Sequence, residues 1–265
     1  MMLTLVRRTL TRAATLFVVI GTLLVLFQLT IVAMATTIAD GSGFEGLARL
    51  VPAFLSSFLG ETLMSFAGMT SIGFFEPLIV MMVVQFAIYL GTEPAGDVET
   101  GLVDLVLARP LSRHQLVTRS LIVMTGAATL LPGAMSVSLW IALRWLAPPE
   151  LVWPQSHRVV LLASHLAAVG WCFGAAALAT SGWARRRGSA FAFVGVGAVG
   201  FYLLDFVASA WSRLEWARPL SPFHYFRGAE VLAGRTDPAR DLSVLVAAGF
   251  VAVAVAYWQF QRRDV

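Results

Sequence analysis

Residues 92–120 read TEPAGDVETGLVDLVLARPLSRHQLVTRS. The stretch lies between two long apolar runs and carries four carboxylates and three arginines in a chain otherwise poor in charge. Charge gathered in this way needs water or a partner, because an unpaired ion is costly to bury. Val98, Leu102, Leu105 and Val106 recur at helical spacing with Asp97, Gly101 and Asp104 on the other side, which predicts a short amphipathic helix. Pro110 ends it, since proline pushes the residue before it out of the α region. A second helix starts at Ser112, whose hydroxyl can cap the N–H of Gln115 while the Gln115 side chain reaches back; Leu111 and Leu116 are placed as a hydrophobic staple. The stretch reads as helix, turn, helix. A solvated loop between two spans is the plain alternative, but two ordered helices argue for docking.

On either side of this break the chain is apolar. Of its 265 residues 58% are hydrophobic and 13% charged, with a mean hydropathy of +0.79; a soluble domain carries about 25% charged residues. The composition therefore predicts an all-α integral membrane protein, a single domain over residues 1–265. All 19 basic residues are arginine, and they cluster at the ends of apolar runs. Membrane topology accounts for them, and for a pI near 10.0, better than a nucleic-acid surface does.

Residues 1–12 place Leu3, Val6 and Leu10 on one face and Arg7, Arg8 and Arg12 toward another, the pattern of an interfacial helix with its arginines near anionic headgroups. Residues 13–38 form the first span, long enough for about 30 Å of hydrocarbon. Arg7 and Arg8 ahead of an apolar run, with Ala33-Met34-Ala35 behind, also resemble a signal peptide; the run is far longer than a signal core, so it reads as an uncleaved anchor. In the following loop, Phe44, Leu47, Leu50 and Phe54 mark one interfacial helical piece.

The second span begins at Glu76-Pro77, where proline fits the first helical turn and the carboxylate faces the positive helix end. Residues 78–90 are too few to cross alone, so this span must borrow from residues 62–75 or continue toward Ala95. Residues 121–146 with Pro132 inside, 159–180, 190–211 and 242–260 complete six spans. Gly170 and Gly174 form a small-xxx-small pair, read as helix packing, with a dimer seam the alternative.

With the N-terminus inside, the cytoplasmic segments hold eleven arginines (7, 8, 12, 109, 113, 119, 185–187, 262 and 263). The outside segments hold three (49, 144 and 158), apart from five in residues 212–241. The positive-inside rule then puts both termini, and residues 92–120, in the cytoplasm. Residues 212–241 form an extracytoplasmic loop in which Glu215, Glu230, Asp237 and Asp241 offset the arginines, and the aromatics of residues 220–226 suit an interface or a re-entrant segment.

The sequence holds no phosphate-binding G-x-x-x-x-G-K-[ST] loop and no lysine with which to build one. Hydrolase elbow and zincin motifs are likewise missing from it. Cys172 is the single cysteine, and His114, His157, His165 and His224 share no ligand-like spacing, so no metal is assigned. Asp205 and His165 are the intramembrane polar candidates: functional by default, with a structural pair to a neighbouring helix or a place near the outer interface for Asp205, and a packed, hydrogen-bonded histidine, as the readings favoured here.

This order of features resembles the type-2 ATP-binding-cassette (ABC) transporter permeases, the membrane subunits of many bacterial exporters. Three stretches carry the likeness. Residues 95–101, AGDVETG, continuing through LVLARPLSR at 105–113, are similar to the family's AGE, E-x-G-T and RP-[VL]-SR region. Residues 220–226, LSPFHYF, match its segment before the last span, and residues 260–264, FQRRD, its F-x-R-R-D ending. Asp97 stands where the family often has Glu, and Leu102 where it often has Thr.

The resemblance implies six transmembrane helices, an N-terminal interfacial helix and a cytoplasmic coupling helix between spans 2 and 3, in the bacterial cytoplasmic (inner) membrane. It implies a permease that is not itself an enzyme and binds no cofactor, with ATP and Mg on a separate ATPase subunit present in two copies. A second permease copy, as homodimer or paired heterodimer, completes the assembly in the lipid bilayer, and no nucleic acid is involved. Coupling falls to Asp97, Glu99, Gly101, Leu102, Asp104, Leu105, Val106, Pro110 and Arg113. Glu99 and Asp104 would meet polar or basic groups on the ATPase, Leu102, Leu105 and Val106 its apolar groove, and Arg113 the membrane surface. Ser221, Pro222, His224 and Tyr225 form the extracytoplasmic motif. Apolar spans favour a lipophilic or drug-like exported substrate. The competing class is a secondary transporter, or a non-transporting membrane partner assisting assembly of an export or respiratory enzyme.

Overall fold

The computed structural model describes residues 2–40, 65–100 and 113–262. Six helices are long and apolar enough to cross a membrane, and among the described residues there is no strand. The chain is a multi-pass helical membrane protein. The coupling residues Gly101, Leu102, Asp104, Leu105, Val106 and Pro110 lie outside the described residues, as do the side chain of Arg113, the cap and staple residues Ser112 and Leu111, the piece around residues 44–54, and Arg263 and Asp264.

The first helix, α1, runs unbroken from Met2–Asp40. At 1.5 Å per residue, its 39 residues extend about 58 Å, well beyond the hydrocarbon thickness. The separate interfacial helix expected over residues 1–12 is therefore corrected to the first turns of α1. Neither glycine nor proline interrupts residues 2–20, so nothing breaks the helix where the membrane begins.

The second span borrows from the preceding side, one of the two ways its sequence allowed, and it is broken. Phe66–Ser71 (α2) starts at Ser65, whose hydroxyl accepts from the Gly68 N–H at 3.0 Å. A 3-10 turn over Ile72–Phe74 follows. The helix then restarts as α3, Pro77–Gly91, with the Glu76 carboxylate accepting from the Ile79 N–H at 3.1 Å and Pro77 in the first turn. Buried Gln28 of α1 ties this broken piece down by donating to the Thr70 carbonyl at 2.8 Å.

After α3 come α4 (Glu93–Glu99), α5 (Arg113–Leu146, with Pro132 inside), α6 (Ser156–Ser181) and α7 (Arg187–Ala210). Two 3-10 segments, Ser212–Leu220 and Pro222–Tyr225, lead to α8 (Gly228–Ala233) and the last span α9 (Pro238–Arg262). Helix α6 is central, packing against α3, α5 and α9, while α1 lies along α5. Gly170 and Gly174 of α6 face inward: a Cβ on Gly170 would lie 3.2 Å from Val83, and one on Gly174 3.1 Å from the Ala87 carbonyl oxygen and 2.9 Å from Met124 Cγ. The small pair thus seats α6 on α3 and α5 of the same chain. Large apolar side chains such as Leu23 and Leu26 on α1 and Phe193, Val196 and Leu203 on α7 point outward, as expected of faces against lipid.

The helix that opens the polar break starts at Glu93, five residues before Val98, and Thr100 caps it. The amphipathic helix read from Val98, Leu102, Leu105 and Val106 lies, beyond Thr100, outside the described residues. Pro94 in the first turn and acidic Glu93 at the positive end make residues 93–94 a good helix start.

Candidate functional site

Six ionic side chains from four helices meet at one end of the bundle, directly ahead of residues 101–112. Helix α4 contributes Glu93, Asp97 and Glu99; Arg12 comes from α1, Arg119 from α5 and Arg187 from α7. Three positive and three negative groups balance. Glu93 and Asp97 stand four residues apart, so both project from one face of α4.

Asp97 and Arg119 are 4% and 2% exposed, and Arg119 Nη2 donates to Asp97 Oδ2 at 2.6 Å. The short distance is that of a charge-assisted bond. Arg12 Nη1 reaches Asp97 Oδ1 and Glu93 Oε1, each at 3.5 Å, from a more exposed position. Arg187 Nη1 lies 3.0 Å from Glu93 Oε2, its Nη2 donates to the Tyr89 carbonyl at 2.9 Å, and its guanidinium sits 4.0 Å from the Tyr89 ring centroid. Each carboxylate of α4 is therefore held by a different helix or pair of helices.

One expectation about this helix is corrected. Asp97, placed on the polar side toward water or a partner, is turned inward and paired within the chain. Glu99 is exposed at the end of α4 and accepts from the Arg187 backbone N–H at 2.9 Å. The N-cap residue Arg186 makes no side-chain cap of its own, so Glu99 satisfies one orphan donor of α7 from another helix. Glu93, Arg119 and Arg187 were not singled out from sequence. Arg119 carried a readable signal: it shares the face of buried Leu116 and Val123, where a charge demands a partner.

Arg7 and Arg8 are exposed on α1, as is His114 on α5, where its ring lies 5.8 Å from that of Tyr257. His165 is fully buried in α6 and bonds the Leu161 carbonyl through Nδ1 at 2.8 Å, a packed, hydrogen-bonded residue. Against models of known families and against curated proteins, the chain finds no match.

At the opposite end, the motif of residues 221–225 fastens the 212–226 segment to the bundle. The Ser221 hydroxyl donates to the Phe201 carbonyl at 2.8 Å and accepts from the Phe223 N–H at 3.2 Å, while Pro222 opens the 3-10 turn. Phe223 stacks on Phe173 of α6 at 5.1 Å between centroids and meets Tyr202 edge-on at 5.5 Å. The Tyr225 hydroxyl donates to the Pro219 carbonyl at 3.2 Å. Asp205 is paired with Arg218 Nε at 3.3 Å, from the 3-10 segment that directly follows α7, with His224 Nδ1 at 3.8 Å.

Burial lowers the pKa of His224, the Arg227 and Arg218 charges lower it further, and Asp205 and Asp241 oppose them. A histidine that holds its proton less tightly folded than unfolded contributes its stability in full above the ordinary value of about 6.5. That contribution is lost as pH falls through about 6.5 toward the lowered folded value. The unfolding temperature of the purified chain should fall between about pH 7 and pH 5.5, and His224→Gln should flatten the slope. An identical slope in the variant would remove His224 as its origin.

Proposed function

We propose that the chain is the membrane-spanning permease subunit of an ATP-driven transporter of the type-2 ATP-binding-cassette class, worked by a separate ATPase docked on residues 92–120. The observation that carries this reading is the ionic node. Helix α4, which runs into the polar break, is fastened to α1, α5 and α7 through buried or half-buried ion pairs. A force applied to the break is delivered to three spans at once rather than absorbed by a slack loop. Transport by tilting spans between two states requires such a rigid link.

On this reading the node end is cytoplasmic, both termini lie on the cytoplasmic side of the bacterial inner membrane, and the assembly holds two permeases and two ATPases. Because Asp97 is buried within the chain, contact with the ATPase falls to exposed Glu99 and to Leu102, Asp104, Leu105 and Val106. The cargo is a lipophilic molecule moved outward.

The chain purified from its native membrane should bring with it, in stoichiometric amount, a subunit that hydrolyses Mg-ATP. Leu105→Asp should abolish that association while leaving the unfolding temperature of the permease unchanged. Intact permease that purifies without an ATP-hydrolysing subunit, or a Leu105→Asp variant that couples normally, would sink the proposal.

A further inference from the structure

A cavity of about 440 Å³ opens at the end of the bundle opposite the ionic node. Its walls come from the break in the second span, the last turns of α7 and the segment leading into α8. Its volume falls within the range of small-molecule sites, about 300–1,000 Å³. Phe75, Phe206, Phe223 and Phe226 give it an aromatic lining, and Phe223 is fixed by its contacts with Phe173 and Tyr202.

Its charges are unbalanced. Arg218 is paired with Asp205 at 3.3 Å, and Arg227 with Glu230 at 2.8 Å. Glu76 also lines the cavity, yet among the described residues it meets no cation; one carboxylate oxygen accepts from the Ile79 N–H. An uncompensated carboxylate among aromatic faces attracts positive charge, because ring faces carry negative potential. A divalent metal would want several oxygen ligands, which a single free carboxylate on an apolar wall does not offer. Anions meet arginines that are already neutralised.

We propose that this cavity binds an organic monocation with a flat apolar body, with Glu76 as counter-charge and the four phenylalanines as walls. Binding stands on the cavity alone; its use as a cargo site rests on the permease reading.

Ethidium is a suitable probe, titrated by fluorescence into the full chain in lipid nanodiscs against empty nanodiscs. Saturable binding at one site per chain is expected. Glu76→Gln should weaken it at least about tenfold, the scale of a lost charge-assisted contact. Glutamine keeps an oxygen that can accept from Ile79, so the start of α3 is preserved. Phe206→Ala, which trims a half-exposed ring outside the packed core, should weaken binding severalfold. Uptake no different from that of empty nanodiscs, binding unaltered by Glu76→Gln, or equal competition by an aromatic sulfonate would each overturn the proposal. Glu76-dependent binding in a chain that recruits no ATPase would keep this site and remove the permease reading. An ATPase-coupled permease whose ethidium binding ignores Glu76 would do the reverse.

Discussion

Replacing Arg119 with methionine should destabilise the folded chain by about 3–5 kcal/mol, the range for removing one partner of a buried ion pair. The cost comes less from the lost 2.6 Å bond than from Asp97, left 4% exposed with only Arg12 at 3.5 Å to offset its charge. Asp97→Asn should also destabilise, for the mirror-image reason that Arg119 is then stranded. The double variant Arg119→Met, Asp97→Asn should be much less damaged than the two losses added together. Thermal unfolding in detergent, followed by monodispersity on size exclusion, measures all three. Strictly additive losses, or neutral single variants, would mean that the pair does not hold α4 to α5. At temperatures where Arg119→Met remains folded, α4 should be loosened from α5, and on the proposed permease reading ATP-driven transport should fall with it.

The parts of this fold written in the sequence are those set by local physics. Membrane thickness fixes span lengths, so the apolar runs of 159–180 and 242–260 come within three or four residues of α6 and α9 at each end. Glu76-Pro77 announced a helix start because a capping carboxylate and a proline suit only that position. What could not be read was orientation about the α4 axis. Asp97 looked solvent-facing because its neighbours Gly101 and Asp104 are small or polar. Its partners Arg12 and Arg119 lie 85 and 22 residues away, and no local pattern names them. The continuity of α1 was legible and was overridden by the weight given to its arginines, although no breaker residue separates Arg12 from Ala13. The cavity beneath Glu76 was beyond sequence altogether, because it is assembled from the second span, the fifth span and the segment after it.

Gly91→Ala should be as damaging as loss of Arg119, at about 3 kcal/mol or more, the upper end for overpacking. A Cβ at this position would overlap the Gly174 carbonyl oxygen and stand 3.0 Å from Ala177 Cβ and 3.2 Å from the Gly174 carbonyl carbon. These are atoms of the α6 backbone and its first side-chain carbon, which no rotamer change can move aside. Helices α3 and α6 must part, and the Ser181 hydroxyl, 3.2 Å from the Gly91 carbonyl, is drawn away from it. Gly197→Ala and Gly200→Ala are the controls: a Cβ at either meets nothing within 4 Å, so alanine should be neutral or stabilising by up to about 1 kcal/mol through helix propensity. Equal stability of Gly91→Ala and Gly197→Ala would show that α3 and α6 are not in backbone contact. The effect should also reach function, since Gly91 precedes Thr92 and Glu93, and shifting the end of α3 moves Glu93 away from Arg12 and Arg187. On the proposed permease reading, Gly91→Ala kept folded by lowering the temperature should therefore still show impaired ATP-driven transport.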